Sequence, residues 1–341
     1  MDGAIAVRGD KVNGQRPYVR KDTTEKVSIV IPAFNRKNEL RTCLESVYKQ
    51  DYQNFEILII DNGSTDGTGE MLLGQFPSVR LFSNKTNLYA CKTRNFGVAR
   101  CRGSYVWFLD SDVVIVNEDC LSRMVDLIKS HQTIGSIGGT VYVFDDQSTR
   151  IALPQHNQFN MFDDWDREEF QLVECDFLPS SNLLMKKDLL LKVGGFTEIY
   201  DYLLEDNDLG VRITKFGLRN VTDRRTIALH PFKSGSIKLR RSYNFYRNVF
   251  LYVLLNFHYT EWPRVVSERV RSGYRVSMSS KETVPTVETR SLAQTLIVFS
   301  GMVLGLVSLI FLTFPIMKIR WGGKDYISKY NSVKVPLSGS G

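Results

Sequence analysis

From residue 27 onward, short runs of β-branched and aromatic residues alternate with stretches whose apolar positions recur at helical spacing. Val27-Ser-Ile-Val-Ile31 predicts a strand ended by Pro32, and Asn38 to Gln50 predicts a helix. Phe55 to Ile60 reads as a second strand, followed by the turn Asp61-Asn-Gly-Ser-Thr-Asp66 and a helix to about Gln75. A short strand over Ser78 to Phe82 and a helix over Tyr89 to Arg102 come next. Ser104-Tyr-Val-Trp-Phe-Leu109 predicts a strand that runs directly into Asp110-Ser-Asp112. Apolar strands alternating with helices of this length argue for an α/β fold, a mostly parallel sheet flanked by helices on both faces. Right-handed crossovers make it Rossmann-like. Ligands of such sheets bind outside the carboxyl ends of the strands. Pro32 to Asn35, Asp61 to Ser64 and Asp110 to Asp112 are therefore expected in one crevice, with the irregular, acidic and aromatic stretch Asp145 to Phe170 as a loop over it. Periodicity resumes at Asn182, a helix is expected over Leu209 to Phe216 and a strand over Thr226 to Leu229.

Composition changes this picture little. A hydrophobic fraction of 43% and a charged fraction of 24% suit a folded body rather than a disordered chain. The five cysteines are scattered without a CxxC pair, which argues against a disulfide framework or a structural zinc site and for reduced thiols. Charge is more informative. Of the formal +7, most comes from Lys238 to Arg290, where ten basic residues face four acidic ones. Such a stretch suits nucleic acid or anionic lipid headgroups. The run Ser291 to Met317 behind it carries no charged side chain and is long enough for a membrane helix. It favours the lipid and speaks against nucleic acid. Basic residues on both sides of the run leave a single span and a re-entrant hairpin both open. Tyr243 to Phe257, aromatic and leucine-rich with arginines before and within it, fits either an interfacial helix or one packed on the main domain.

Acidic residues carry the candidate chemistry. Three D-x-D triplets occur, and position separates Asp110/Asp112 from Asp164/Asp166 and Asp206/Asp208. At the end of a buried aromatic strand, two unpaired carboxylates are costly unless a cation joins them. Mg²⁺ or Mn²⁺ shared with a diphosphate would satisfy them; the competing reading is a helix cap or a strand-ending turn. Glu205 and Asp206 precede the helix expected at Leu209, where acids also suit the helix dipole. One of them, Asp206 by choice, could accept a proton from a hydroxyl, with Asp208 as a cap. His230 closes the strand before Pro231 and is either a metal ligand or structural.

In order and spacing, Val30-Ile-Pro-Ala-Phe-Asn35, Ile60-Asp-Asn-Gly-Ser-Thr-Asp66, Arg94-Asn95, Gly103-Ser-Tyr-Val-Trp-Phe-Leu-Asp-Ser-Asp112, Gly194-Gly-Phe196 and Leu204-Glu-Asp-Asn-Asp-Leu-Gly-Val-Arg212 resemble the family 2 glycosyltransferases of the GT-A fold. The resemblance covers roughly residues 27 to 232. It implies an inverting, metal-dependent transfer of a sugar from a nucleoside-diphosphate donor to a hydroxyl of an acceptor such as a glycan; the basic stretch and the charge-free run add a lipid-linked acceptor to the candidates. Pro32, Phe34 and Asn35 match the loop that packs on the nucleoside, and the Asp61-Asn62 turn faces the base. Many relatives carry a second aspartate where Asn62 stands, so UDP, dTDP and GDP donors all remain open. Lys92 and Arg94 fall where basic residues approach the donor. Asp110 matches a ribose or metal contact, Asp112 a metal ligand, Asp206 the catalytic base with Glu205 beside it, and His230 a histidine that completes the metal shell in some relatives. Pro179 to Asn182 and Gly194-Gly195 match the acceptor side.

The expected organisation is a polar tail (1–26), a GT-A domain (27–237, its nucleotide half about 27–112 and its acceptor half about 113–237), a basic, partly helical membrane-proximal region (238–290), the hydrophobic segment (291–317) and a basic tail (318–341). A cytoplasmic catalytic domain held at a membrane follows, with a lipid-linked acceptor as its natural substrate. Two other readings share these features. A sugar nucleotidyltransferase would carry a glycine-rich phosphate loop after the first strand, where this chain has Pro32-Ala-Phe-Asn35. A non-catalytic membrane scaffold would have no need of the acidic residues.

Overall fold

The computed structural model describes residues 25–145, 148–152, 171–231 and 239–269, together with Ser300 and Ile327. The first half alternates as the sequence predicts: β1 (Val27–Ala33), α1 (Lys37–Tyr48), β2 (Phe55–Asp61), α2 (Thr68–Gln75), β3 (Arg80–Ser83), α3 (Tyr89–Val98) and β4 (Tyr105–Leu109). These strands stand side by side as β3-β2-β1-β4, all parallel. Successive residues of β1 face opposite layers. Ile29 and Ile31 pack in one core with Leu40 and Leu44 of α1, while Val30 packs in the other with Phe96 of α3. Helix α3 lies so close to the sheet that a Cβ on Gly97 would stand 2.5 Å from Val30 Cγ1.

Beyond β4 come β5 (Val114–Ile115), α4 (Cys120–Ser130), β6 (Ile134–Asp145), β7 (Ser148–Ala152), β8 (Leu172–Cys175), β9 (Asn182–Lys186), α5 (Lys187–Lys192), α6 (Glu205–Lys215), β10 (Arg219–Pro231) and α7 (Leu239–Asn256). The sheet continues from β4 as β9-β6-β10-β5. Here the expected mostly parallel sheet needs correction. β9 runs antiparallel to both β4 and β6, β5 and β8 run antiparallel to β10, and among the described residues of this part only β6 and β10 pair in parallel. Parallel pairing requires a crossover element, and no helix among the described residues stands between β6 and β9. The sheet is thus parallel from β1 to β4 and mixed beyond.

Three further expectations shift, and one left open is decided. Of the expected Asp145–Phe170 loop, Asp145 ends β6 and Ser148–Ala152 form β7, paired with β6; the rest, Asp164 and Asp166 included, lies outside the described residues. The strand expected at Thr226 is the end of the longer β10, which is offset against β6 between Asp223 and Ile227. Helix α6 begins at Glu205, not Leu209, so Glu205 and Asp206 lie in its first turn. Helix α7 packs on the main body: Leu251, Tyr252, Val253 and Leu255 share a core with Phe196, Leu209 and Ile213. The packed reading of Tyr243–Phe257 therefore holds over the interfacial one.

Far along the chain, Ile327 is fully buried in that same core, against Gly195. Among the described residues no helix is long and apolar enough to cross a membrane. The run 291–317 lies outside them, Ser300 excepted, as do residues 1–24 of the tail. All five cysteines are buried and unpaired, in keeping with reduced thiols.

Candidate active site

The loops after β1 and β2 are laced together at their carboxyl ends. Asn62 N donates to Ala33 O at 2.8 Å, Asn35 N to Ser64 Oγ at 2.9 Å, and Thr65 N to Asn35 Oδ1 at 2.8 Å. Asn35 makes these bonds from a left-handed conformation, φ 50°, which asparagine tolerates better than most residues. Asp61 is buried and spends its carboxylate on its own turn, accepting Ser64 N at 3.1 Å. Asn62 is buried as well, its Oδ1 within bonding distance of Asn84 Nδ2 (2.9 Å) and Thr93 Oγ1 (3.0 Å). Pro32 precedes the last residue of β1, and Phe34 on the following loop leaves 42% of its surface open.

The end of β4 and the end of β10 meet across the sheet. Residue Asp110 directly follows β4, and β10 carries His230 beside it. His230 Nε2 stands 3.2 Å from Asp112 Oδ1 and 3.7 Å from Asp110 Oδ2. One donor atom from each of the three residues lies within 4.8 Å of the others. Burial works against the imidazolium, but its bond to Asp112 and the charges of Asp110 and Asp112 outweigh it and raise the His230 pKa. Burial would likewise raise Asp112; the bond from His230, its charge and that of Arg36 prevail and hold the carboxyl below its ordinary range. The cluster is a place where two carboxylates gather positive charge. Two carboxylates and an imidazole at these separations fit one divalent ion, and oxygen with a single nitrogen suits a hard to borderline metal better than a thiolate-seeking one.

Arg94 ties this cluster to the start of α6. It is buried on α3 over the Phe196 ring, 5.3 Å from its centroid. Its Nη2 donates to Asp110 Oδ1 at 2.7 Å, and Nη1 lies 3.7 Å from Glu205 Oε1. Burial disfavours the guanidinium, yet the charges of Asp110, Asp206 and Glu205 more than restore it. Asp110 thus gives one oxygen to Arg94 and leaves the other toward His230.

Glu205 and Asp206 stand together at the start of α6. Burial, reinforced by the Asp206 charge and only partly offset by Arg94, pushes Glu205 up to about 8. Burial also raises Asp206, against Arg94 and the bond from Ser180. Asp206 Oδ2 accepts Ser180 N at 3.1 Å, while Oδ1 is hidden from solvent and has no hydrogen-bond partner among the described residues. A solvent-free carboxylate oxygen without a donor is costly.

Not every candidate joins the site. Lys92 is exposed, two positions from Arg94 and so on the opposite side of α3. Asp208 is not a cap: fully buried, it accepts from Thr197 Oγ1 (2.6 Å), Arg212 Nε (2.9 Å) and Asn256 Nδ2 (2.7 Å), fastening α6 to α7. Conversely, Arg36 was not foreseen. It stands 3.2 Å from Asp112 Oδ2 and 3.3 Å from Glu39. Its place next to Asn35 was the available signal.

Comparison with known proteins agrees with this geometry. Residues 28–194 match the family model "Glycosyl transferase family 2". The glycosyltransferase GlyG of Streptococcus pneumoniae is 32% identical over 126 residues, 36% of this chain and 41% of the relative. The chain thus spans less than half the length of that relative. Among solved structures, a mannosyltransferase of Pyrobaculum calidifontis in complex with GDP-Man and Mn²⁺ superposes with a TM-score of 0.53 at 13% identity, covering 90% of this chain and 85% of the other. GalNAc-T7 with UDP, GalNAc and Mn²⁺ gives 0.54 at 13% identity, over 77% of this chain and 59% of the other. These two likenesses establish the fold.

Proposed function

Because residues 28–194 place this chain in glycosyl transferase family 2, we propose that it is an inverting, metal-dependent transferase moving a sugar from a nucleoside-diphosphate donor to a hydroxyl of a glycan or lipid-linked acceptor. The observation that carries the reading is the pair of sites joined by Arg94. On one side are Asp110, Asp112 and His230; on the other is Asp206 with an unpartnered oxygen. The two solved neighbours hold nucleotide-sugar components with Mn²⁺, which supports the same ligands here. The mixed oxygen and nitrogen donor set favours Mn²⁺ over Mg²⁺.

Asp110, Asp112 and His230 would hold the ion. When bound it neutralises the charge that gathers on the departing diphosphate. Phe34 offers an open aromatic face to the base. Two adjoining buried carboxylates do not both ionise readily. Glu205, at about 8, keeps its proton near neutral pH, and the base role falls to Asp206, which burial also raises. Asp206 Oδ1 then takes the proton from the acceptor hydroxyl as its oxygen attacks the anomeric carbon opposite the leaving diphosphate. Ser180 N holds the other oxygen and fixes the carboxylate's direction. One displacement of this kind inverts the anomeric centre. Calorimetry with UDP, GDP and dTDP, each with Mn²⁺ and with chelator, is expected to give metal-dependent binding of one diphosphate; no binding by folded protein would favour the scaffold reading.

We further propose that the chain works at the cytoplasmic face of a membrane, through the basic stretch and the charge-free run 291–317. Ile327, buried in the core of the catalytic body only ten residues after Met317, supports a run that begins and ends on one side. Ten extended residues reach about 35 Å, barely the roughly 30 Å hydrocarbon layer. A single span would also drag Lys318, Arg320 and Lys324 back through lipid. Cysteines placed at positions 285 and 322 are expected to react with a membrane-impermeant maleimide from the same side of sealed vesicles; labelling from opposite sides would establish a single span.

A further inference from the structure

The turn that feeds α6 adopts a shape that leucine avoids. Leu203 has φ 70° and Leu204 φ 67°, two consecutive non-glycine residues in the left-handed region. Leu204 is the N-cap of α6, and no side chain caps the helix there. The turn therefore sets the direction in which Glu205 and Asp206 emerge, and something outside it must hold it.

That support comes from α7. Asn248 is fully buried, and its Nδ2 donates to Tyr202 O at 2.8 Å and to Leu203 O at 2.9 Å. Both protons of the amide are thus committed to successive carbonyls of the turn. Arg247 Nε donates to Asn248 Oδ1 at 3.1 Å, which fixes which end of the amide faces the carbonyls. The same arginine reaches Ile199 O through Nη2 at 2.5 Å and lies 3.8 Å from Asp201. Two neighbouring residues of α7 thereby grip the segment 199–203 just ahead of the two carboxylates.

We propose that Asn248 is a positioning residue for the reaction. Its side chain holds the Leu203–Leu204 turn in the left-handed form and so aims Asp206 Oδ1 at the acceptor hydroxyl. The inference rests on the reading of Asp206 as base. It gives α7, which lies beyond the residues matched by the family model, a share in the catalytic geometry.

The test compares Asn248→Ala and Asn248→Asp with Val249→Ala, a buried apolar neighbour on α7 whose side chain offers the turn no hydrogen bond. In Asn248→Asp the donor becomes an acceptor facing two carbonyls. Turnover is read as metal-dependent cleavage of the bound nucleotide sugar, with diphosphate affinity measured alongside. Both Asn248 variants are expected to lose about 10–100-fold in kcat with donor KM and diphosphate affinity nearly unchanged, whereas Val249→Ala loses thermal stability without that kcat loss. Glycine accepts the left-handed region freely, so Leu204→Gly is expected to restore much of the kcat lost in Asn248→Ala and to raise Tm more in that background than in the wild-type chain. Equal kcat losses in Asn248→Ala and Val249→Ala, a donor KM that rises in step with the loss, or no rescue by Leu204→Gly would overturn the proposal. A wild-type chain that binds diphosphate but turns over no donor overturns the base reading instead, and the Tm coupling alone then decides whether the clamp exists.

Discussion

Asp206→Asn is expected to abolish most turnover, by roughly 10²–10⁴-fold, the usual worth of a positioned general base, while leaving metal-dependent diphosphate binding nearly intact. The separation follows from geometry. Asp206 reaches neither Asp112 nor His230; its fixed contact is Ser180 N, and its free oxygen faces no protein donor. Asparagine keeps the shape and removes the proton acceptor. The pH profile carries the sign of the argument. The base must be ionised, and burial raises Asp206 above its ordinary value, so the acid limb of kcat should lie above the usual aspartate range. Glu205 offers a check that needs no turnover. Its folded pKa is about 8 against an ordinary value of 4.5, so the folded chain holds that proton more tightly than the unfolded one. The resulting stability is complete below the ordinary value and is lost as pH rises through about 8. Glu205→Gln, which cannot ionise, should therefore gain Tm relative to wild type at alkaline pH and gain little in acid. A variant that turned over at the wild-type rate, or an acid limb at the usual aspartate position, would remove Asp206 from the role of base.

The part from β1 to β4 was legible because local pattern and tertiary context agree there. Its strands are apolar on both faces, since each alternate set of residues feeds a separate helical layer, and its helices carry the covering stripes. The part beyond β4 was harder to read because several of its buried positions are polar. Asn220, Thr222 and Asp223 of β10 are at most 1% exposed, yet they look like turn residues in a sequence, so only the apolar end of that strand was foreseen. Sequence also placed the start of α6 four residues late. Glu205 to Asp208 read as a polar approach, and only the packing shows Asp208 as a buried knot between α6, Thr197 and α7. The direction of β9 could not be read at all, because strand polarity depends on which elements cross over and not on the strand's own residues. Within the site, the residues that terminate strands were visible: Asp110, Asp112 and His230 each follow or end an apolar run. Arg36 and Asn248 were not, because a lone arginine or asparagine acquires meaning only from what it touches.

Asp112→Ala is expected to remove the metal dependence of diphosphate binding. Asp112 gives Oδ1 to His230 and Oδ2 to Arg36, so in the ion-free protein both oxygens attract positive charge that a divalent ion can replace. Asp110 cannot substitute, since one of its oxygens is held by buried Arg94 at 2.7 Å. Loss of Asp112 should therefore weaken Mn²⁺ binding by more than the about 10–100-fold typical of losing a partner outside the coordination sphere. His230→Ala should cost less, because two carboxylates remain and carry the charge. The order matters more than either value. If the three residues share one ion, Mn²⁺ titrations should rank wild type above His230→Ala and His230→Ala above Asp112→Ala, and diphosphate affinity in Mn²⁺ should follow the same order. With chelator present, the three proteins should bind diphosphate alike. Equal Mn²⁺ affinity in all three would show that the cluster is an ion-paired network closing the ends of β4 and β10, with the donor's charge met elsewhere. Arg36 beside Asp112 and Arg94 beside Asp110 would then be the nearest remaining cations, and Arg36→Met and Arg94→Met, which delete the charge while keeping much of the side chain's length, would locate the diphosphate.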